Sequence, residues 1–122
     1  MLSLIDYLTL ETDIETKQKE TGKHIPDYDN QNTGLPRLTN DLFLAKRSIY
    51  ISKHNRYAPY PKHTHQFLQL NYVLQGQCQQ IINDTPYTFY EGDILLMDAG
   101  SAHAIEALGE DDLLINIVFK DT

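Results

Sequence analysis

The chain has 122 residues, 41% hydrophobic and 22% charged, with a formal net charge of −7. That composition suits one globular domain with a modest core and excludes a disordered chain. Its Lys and Arg are scattered, with no basic run longer than Lys46-Arg47, so no phosphate-binding face is expected here.

In chain order, Ser3 and Asp6 stand at capping-box spacing, and Leu4, Ile5 and Leu8 form an apolar stripe. A helix is expected from the N-terminus to about residue 20, with Gly22 to stop it. Past Leu10, "ETDIETKQKETGK" is polar except for Ile14 and reads as a solvated helix or loop whose charges carry no function. Residues 22–40 hold two Pro and two Gly among Asn and Asp, the chemistry of a loop, expected to wrap the core as an extended arm. His24 in this loop is expected to be exposed. The N-terminus lacks a basic leader, and Ser3 and Asp6 interrupt its apolar run, so neither a signal peptide nor a membrane span is expected. The single cysteine, Cys78, suits a reducing compartment and a plain strand position. A cytoplasmic protein with no membrane partner is expected.

From residue 48 the pattern changes to strands: "SIYIS", "FLQLNYVL", "QCQQII", "YTFY", "ILLM", "AHAIEAL" and "LLINIVF". Turn signals separate them, among them Asn83-Asp84 before Pro86 and Glu91-Gly92-Asp93. Seven short strands at regular spacing predict a mainly β domain, a sandwich or small barrel. Residues 1–47 supply the helix and arm and residues 48–122 the barrel, together one domain.

The stretch "HTHQFLQLNYVLQG", residues 63–76, carries the chemistry. Side chains alternate along a strand, so His63, His65, Phe67, Gln69, Asn71 and Val73 share one face. Leu68, Leu70, Tyr72 and Leu74 take the other, an apolar packing surface expected to be covered by the N-terminal helix or a second sheet. In a barrel, a neighbouring strand can bring His103 opposite the first face, with Ile105 continuing it. Three neutral imidazoles and the Gln69 amide oxygen could hold a divalent transition metal such as Zn, Ni, Mn, Fe or Cu. The same groups suit hydrogen bonds to a polar ligand or to buried water. Tyr57 and Tyr60 are placed at the cavity mouth, to stack on a ligand ring or as ordinary loop aromatics. Arg56 could meet an anionic group, and His54, beside Lys53, reads as surface.

Two glycine-ended segments stand out by spacing: His63-x-His65, three residues, Gln69, six residues, Gly76; and Gly92, five residues, Asp98-x-Gly100, two residues, His103. Fifteen residues separate Gly76 from Gly92. These spacings resemble the two motifs of the cupin superfamily, and the resemblance covers residues 48–119. It places the family's metal ligands on His63, His65, Gln69 and His103. The chain departs from the pattern at Tyr57, which stands for a glycine, at Gln69 for a glutamate, at Asp98 for a proline and at Ala107 for an asparagine.

"HTHQFLQLNYVLQG", "EGDILLMDAGSAHAI" and "DLLINIVF" further resemble the N-terminal sensor domain of AraC-type transcription regulators. That resemblance implies a cupin-type barrel binding a small effector, a sugar among the candidates, through His63, His65, Phe67, Gln69, Asn71, His103 and Tyr57. It also implies a possible homodimer, and DNA contact only through a C-terminal helix-turn-helix domain absent from this chain. The competing expectation is a free-standing metal-dependent dioxygenase or isomerase. Against it stands Gln69, which removes the acidic ligand. A sugar-binding module with no DNA-binding partner is the third.

Overall fold

The computed structural model describes residues 3–25, 37–38 and 49–119. Most of the expected arm lies outside them. The one expected N-terminal helix is two, α1 (Leu4–Thr9) and α2 (Asp13–Thr21). Leu10 turns to extended backbone at ψ 136, and Thr12 then starts a new helix with its own capping box to Glu15. Both capping boxes satisfy amide groups that a helix start leaves bare. Gly22 ends α2 in the left-handed conformation at φ 68, as its position predicted.

Among the described residues nine strands follow: β1 (Arg37–Leu38), β2 (Ile49–Lys53), β3 (Tyr60–His65), β4 (Leu68–Gln75), β5 (Gln77–Ile82), β6 (Thr85–Tyr90), β7 (Ile94–Met97), β8 (His103–Ile105) and β9 (Leu113–Phe119). They form a five-stranded sheet in the order β1-β3-β8-β5-β6 and a four-stranded sheet in the order β2-β9-β4-β7. Every pairing is antiparallel except β1 with β3. The inner faces meet in a core of Val73, Cys78, Ile105, Leu108 and Leu114, which draws on both sheets. Asn83 and Asp84, both at positive φ, make the two-residue hairpin turn between β5 and β6.

Seven of the nine strands match the expected ones; β1 and β3 do not. The segment 63–74 is not one strand. It breaks at Gln66-Phe67, so β3 joins the first sheet and β4 the second. The parity nevertheless survives the break. His63, His65, Phe67, Gln69, Asn71 and Val73 are all buried, because both strands turn the same set of residues between the sheets.

Leu68, Leu70, Tyr72 and Leu74 are only half-buried and face outward. Across the four-stranded sheet Ile51 pairs with Ile117, Ile117 with Leu70, and Leu70 with Leu96, an apolar row on the outer face. The expected cover of α1 is not there, since that helix buries no residue.

Gly76 closes β4 at φ 78, where a side chain would collide with Asp112 and the backbone of Asp111. That close approach requires a glycine at the end of the first motif.

Candidate functional site

The histidines come together because strand register brings them together. His63 on β3 stands directly opposite His103 on β8, and their rings lie 4.3 Å apart. On β5, Gln80 pairs with Ile105, which sets its side chain diagonal to His103. The facing sheet contributes Asn71 opposite Asn116 and Gln69 opposite Val118.

A chain of buried hydrogen bonds joins these walls. His103 Nδ1 donates to Gln80 Oε1 (3.1 Å), Gln80 Nε2 donates to Asn71 Oδ1 (2.8 Å), and Asn71 Nδ2 donates to Asn116 Oδ1 (2.8 Å). Gln69 Nε2 donates to the same Asn116 oxygen at 3.3 Å. His63 Nδ1 donates to the Pro61 carbonyl (2.8 Å) and His65 Nδ1 to the Phe67 carbonyl (2.7 Å). Each of these three rings therefore keeps its proton on Nδ1 and its lone pair on Nε2.

Burial is the main reason the rings stay neutral. It holds His54 and His63 at about 4 and, with His63 and His65 adding like-charge repulsion, His103 at about 2, against an ordinary 6.5. Nε2 of His54 and Nε2 of His103 are buried with no hydrogen-bond partner among the described residues.

A cavity of about 100 Å³ opens among His54, Tyr60, His63, Gln69, His103 and Asn116. Gln18, His24 and Ile25 line its mouth on the N-terminal side. What fixes α2 there is a buried ion cluster. Glu15 meets Arg56 Nε at 2.6 Å and Lys53 Nζ at 2.7 Å, all three side chains being nearly or fully buried. The remaining Arg56 donors reach the carbonyls of Glu110 and Thr9. Burial raises the Glu15 pKa, but hydrogen bonds from Arg56 and Lys53 outweigh it and hold it at about 2.

Of the expected effector-binding residues, His63, Gln69 and His103 line the cavity, as does Tyr60. His65 and Phe67 stack on each other behind it at 4.9 Å, and Asn71 serves as a link in the polar chain. Tyr57 is elsewhere: its ring sits beside Lys19 and Arg56, each 5.2 Å away, on the α2 side. It adopts φ 80, the conformation a glycine takes freely, at the position where the cupin pattern has one.

Three other expectations are corrected, while the one that Arg56 could meet an anionic group holds. His54, read as surface, is 6% exposed. His24 packs on Tyr60 at 4.2 Å instead of standing exposed. Glu15, in the stretch read as solvated, is fully buried, and the anionic partner of Arg56 is that side chain.

The donor set for a metal is chemically apt, since imidazoles anchored through Nδ1 are how proteins orient metal ligands. Among the described residues no three His, Cys, Asp or Glu side chains converge on a common point. His63 and His65 stand 6.4 Å apart, and His65 meets His103 edge-on.

The family model described as the AraC-like ligand binding domain matches residues 47–118. The chain belongs to that family. Among its relatives, the HTH-type transcriptional activator RhaR of Pectobacterium atrosepticum is 31% identical over 81 residues, 66% of this chain and 28% of that protein. RhaR of Yersinia pestis is 30% identical over 79 residues, 63% of this chain and 27% of its own. The AraC-like domain thus spans less than a third of the length of these relatives. Among solved structures, KdgF from Halomonas sp. superposes with a TM-score of 0.53 at 23% identity, covering 62% of this chain and 71% of that one. An RmlC-like cupin from Shewanella frigidimarina gives 0.52 at 17%, covering 61% and 68%. The DMSP lyase DddQ from Ruegeria pomeroyi gives 0.51 at 19%, covering 61% and 39%. At these identities the likeness concerns the fold, which is a cupin barrel.

Proposed function

We propose that this AraC-like domain senses a small effector held inside the barrel and passes the signal to a DNA-binding domain elsewhere in a longer protein. The observation that carries the reading is the cavity lined by His63, Gln69 and His103, with a buried lone pair on His103 that has no donor among the described residues. Relatives named as transcriptional activators support both the regulatory role and a cytoplasmic setting. A sugar remains a candidate effector, but size sets a condition. Pockets for such ligands run to roughly 300–1,000 Å³, several times this one. Binding a sugar ring therefore requires His24 and Ile25, just past the end of α2, to move off the mouth. That movement is the link from effector to the rest of the protein, an equilibrium that ligand binding shifts.

The cavity lining holds no carboxylate among the described residues, which disfavours a reaction that needs a carboxylate as base or metal ligand. A divalent metal is the second reading, favoured by the three Nδ1-anchored imidazoles. A thermal-shift screen against small polar metabolites, with and without Zn²⁺, separates the two. Saturation at a hundredfold excess over Kd stabilises by about 2.7 kcal/mol. An effector that stabilises without being consumed supports the sensor; stabilisation by the metal alone, or turnover of the compound, contradicts it.

A further inference from the structure

His54 lies outside both motifs, between Lys53 and Asn55, and is buried nonetheless. Its backbone N–H donates to the Leu114 carbonyl at 2.8 Å, which ties the segment after β2 to β9. The ring then stacks along Tyr60 at 5.8 Å, and Tyr60 lies 4.0 Å from His63. His54, Tyr60, His63 and His103 so form one run of rings along the cavity.

Nε2 of His54 is buried and has no partner among the described residues, and the same holds for Nε2 of His103. Buried polar atoms are rarely left so, and each calls for a ligand or an ordered water. The surroundings decide which kind of ligand. Among the described residues the lining offers no carboxylate, and its Lys53 is already bonded to Glu15 and to the carbonyls of Leu8 and Leu10. Arg56 is spent on Glu15 in the same way. Among the described lining residues no charge is left to meet a charged ligand. What the two rings offer is an acceptor each.

We propose that His54 is a ligand-binding residue of this cavity, and that His54 and His103 each accept, through Nε2, a hydrogen bond from an uncharged ligand bearing at least two hydroxyl or amide donors. This rests on the effector-cavity reading and narrows it: anions and ligands without donors are excluded.

The test is a ¹⁵N-histidine NMR titration of the full chain at pH 7.5. The probes are glycerol, erythritol, xylitol and glucose, each beside its corresponding carboxylate. At least one polyol is expected to move the Nε2 signals of both His54 and His103 saturably, with its carboxylate binding at least about tenfold more weakly. His54→Phe should weaken that polyol about threefold to tenfold, the share of one neutral hydrogen bond, while the His103 signal still moves. His54→Gln, which restores an acceptor, should recover most of the loss. If His54→Phe does not fold, His54→Gln and the parent spectra still decide. A bound polyol that leaves His54 unmoved, or a carboxylate that binds as well, overturns the proposal and leaves the effector cavity standing. If no probe of either kind moves any cavity histidine, the effector cavity falls with it.

Discussion

At the mouth of the barrel Glu15, Lys53 and Arg56 are buried as charges, each met by an opposite charge, Glu15 also by backbone N–H groups and the two cations by carbonyls. In the interior His54, His63 and His103 are buried as neutral rings, with Nε2 of two of them unmet. The mouth is thus complete without a ligand and the interior is not. A buried ion cluster with every partner in place fixes one arrangement of α2. A wall with spare acceptors makes the interior sensitive to what enters it.

The largest test of this contrast is pH. The histidine pKa values are depressed in the folded state, so the unfolded chain binds more protons as pH falls below about 6.5. Their contribution is full above that pH and lost on the way down toward about 4 for His54 and His63 and about 2 for His103. Between pH 7 and pH 5 the three should cost the fold about 5 kcal/mol in urea denaturation. Glu15 acts in a lower window, its contribution present above 4.5 and lost toward about 2. A stability that stays flat from pH 7 to pH 5 would mean the interior rings are not buried and neutral.

Next in size is the mouth. Glu15→Gln leaves Arg56 and Lys53 buried without their counter-charge and should destabilise by about 3–5 kcal/mol. Glu15→Leu combined with Arg56→Met should recover part of that loss, read by the same denaturation. Gln80→Leu leaves His103 Nδ1 and Asn71 Oδ1 without partners, at a cost of about 2 kcal/mol. The smallest effect is Tyr57→Gly. Release of the strain at φ 80 outweighs the half-exposed ring contacts with Lys19 and Arg56, for a net gain below about 1 kcal/mol.

Much of the interior was legible because burial parity is local. His63 through Val73 alternate inward even though Gln66-Phe67 breaks the strand, since the chain crosses between sheets without changing the face it turns in. The break itself was hidden, because no glycine or proline marks it. Gln80 could have been found by the same parity, as Cys78 and Gln80 alternate with exposed Gln77 and Gln79. Thr12 and Glu15 likewise spell a second capping box that announces α2. His54, Asn116 and the Glu15–Arg56 pair were not legible. Their meaning depends on partners 38 or more residues away: Asn116 on Asn71, Glu15 on Arg56, and His54 on Leu114. Local pattern carries no trace of such contacts.

The central claim is that the effector sits between the two sheets against the histidine wall. A crystal structure of the chain with a stabilising compound tests it most directly. The account predicts density among His63, Gln69 and His103, with a ligand donor about 2.7–3.2 Å from Nε2 of His103 and the His24–Ile25 segment displaced from the mouth. The compound bound on the apolar outer face of the four-stranded sheet, with the cavity unchanged, would contradict it.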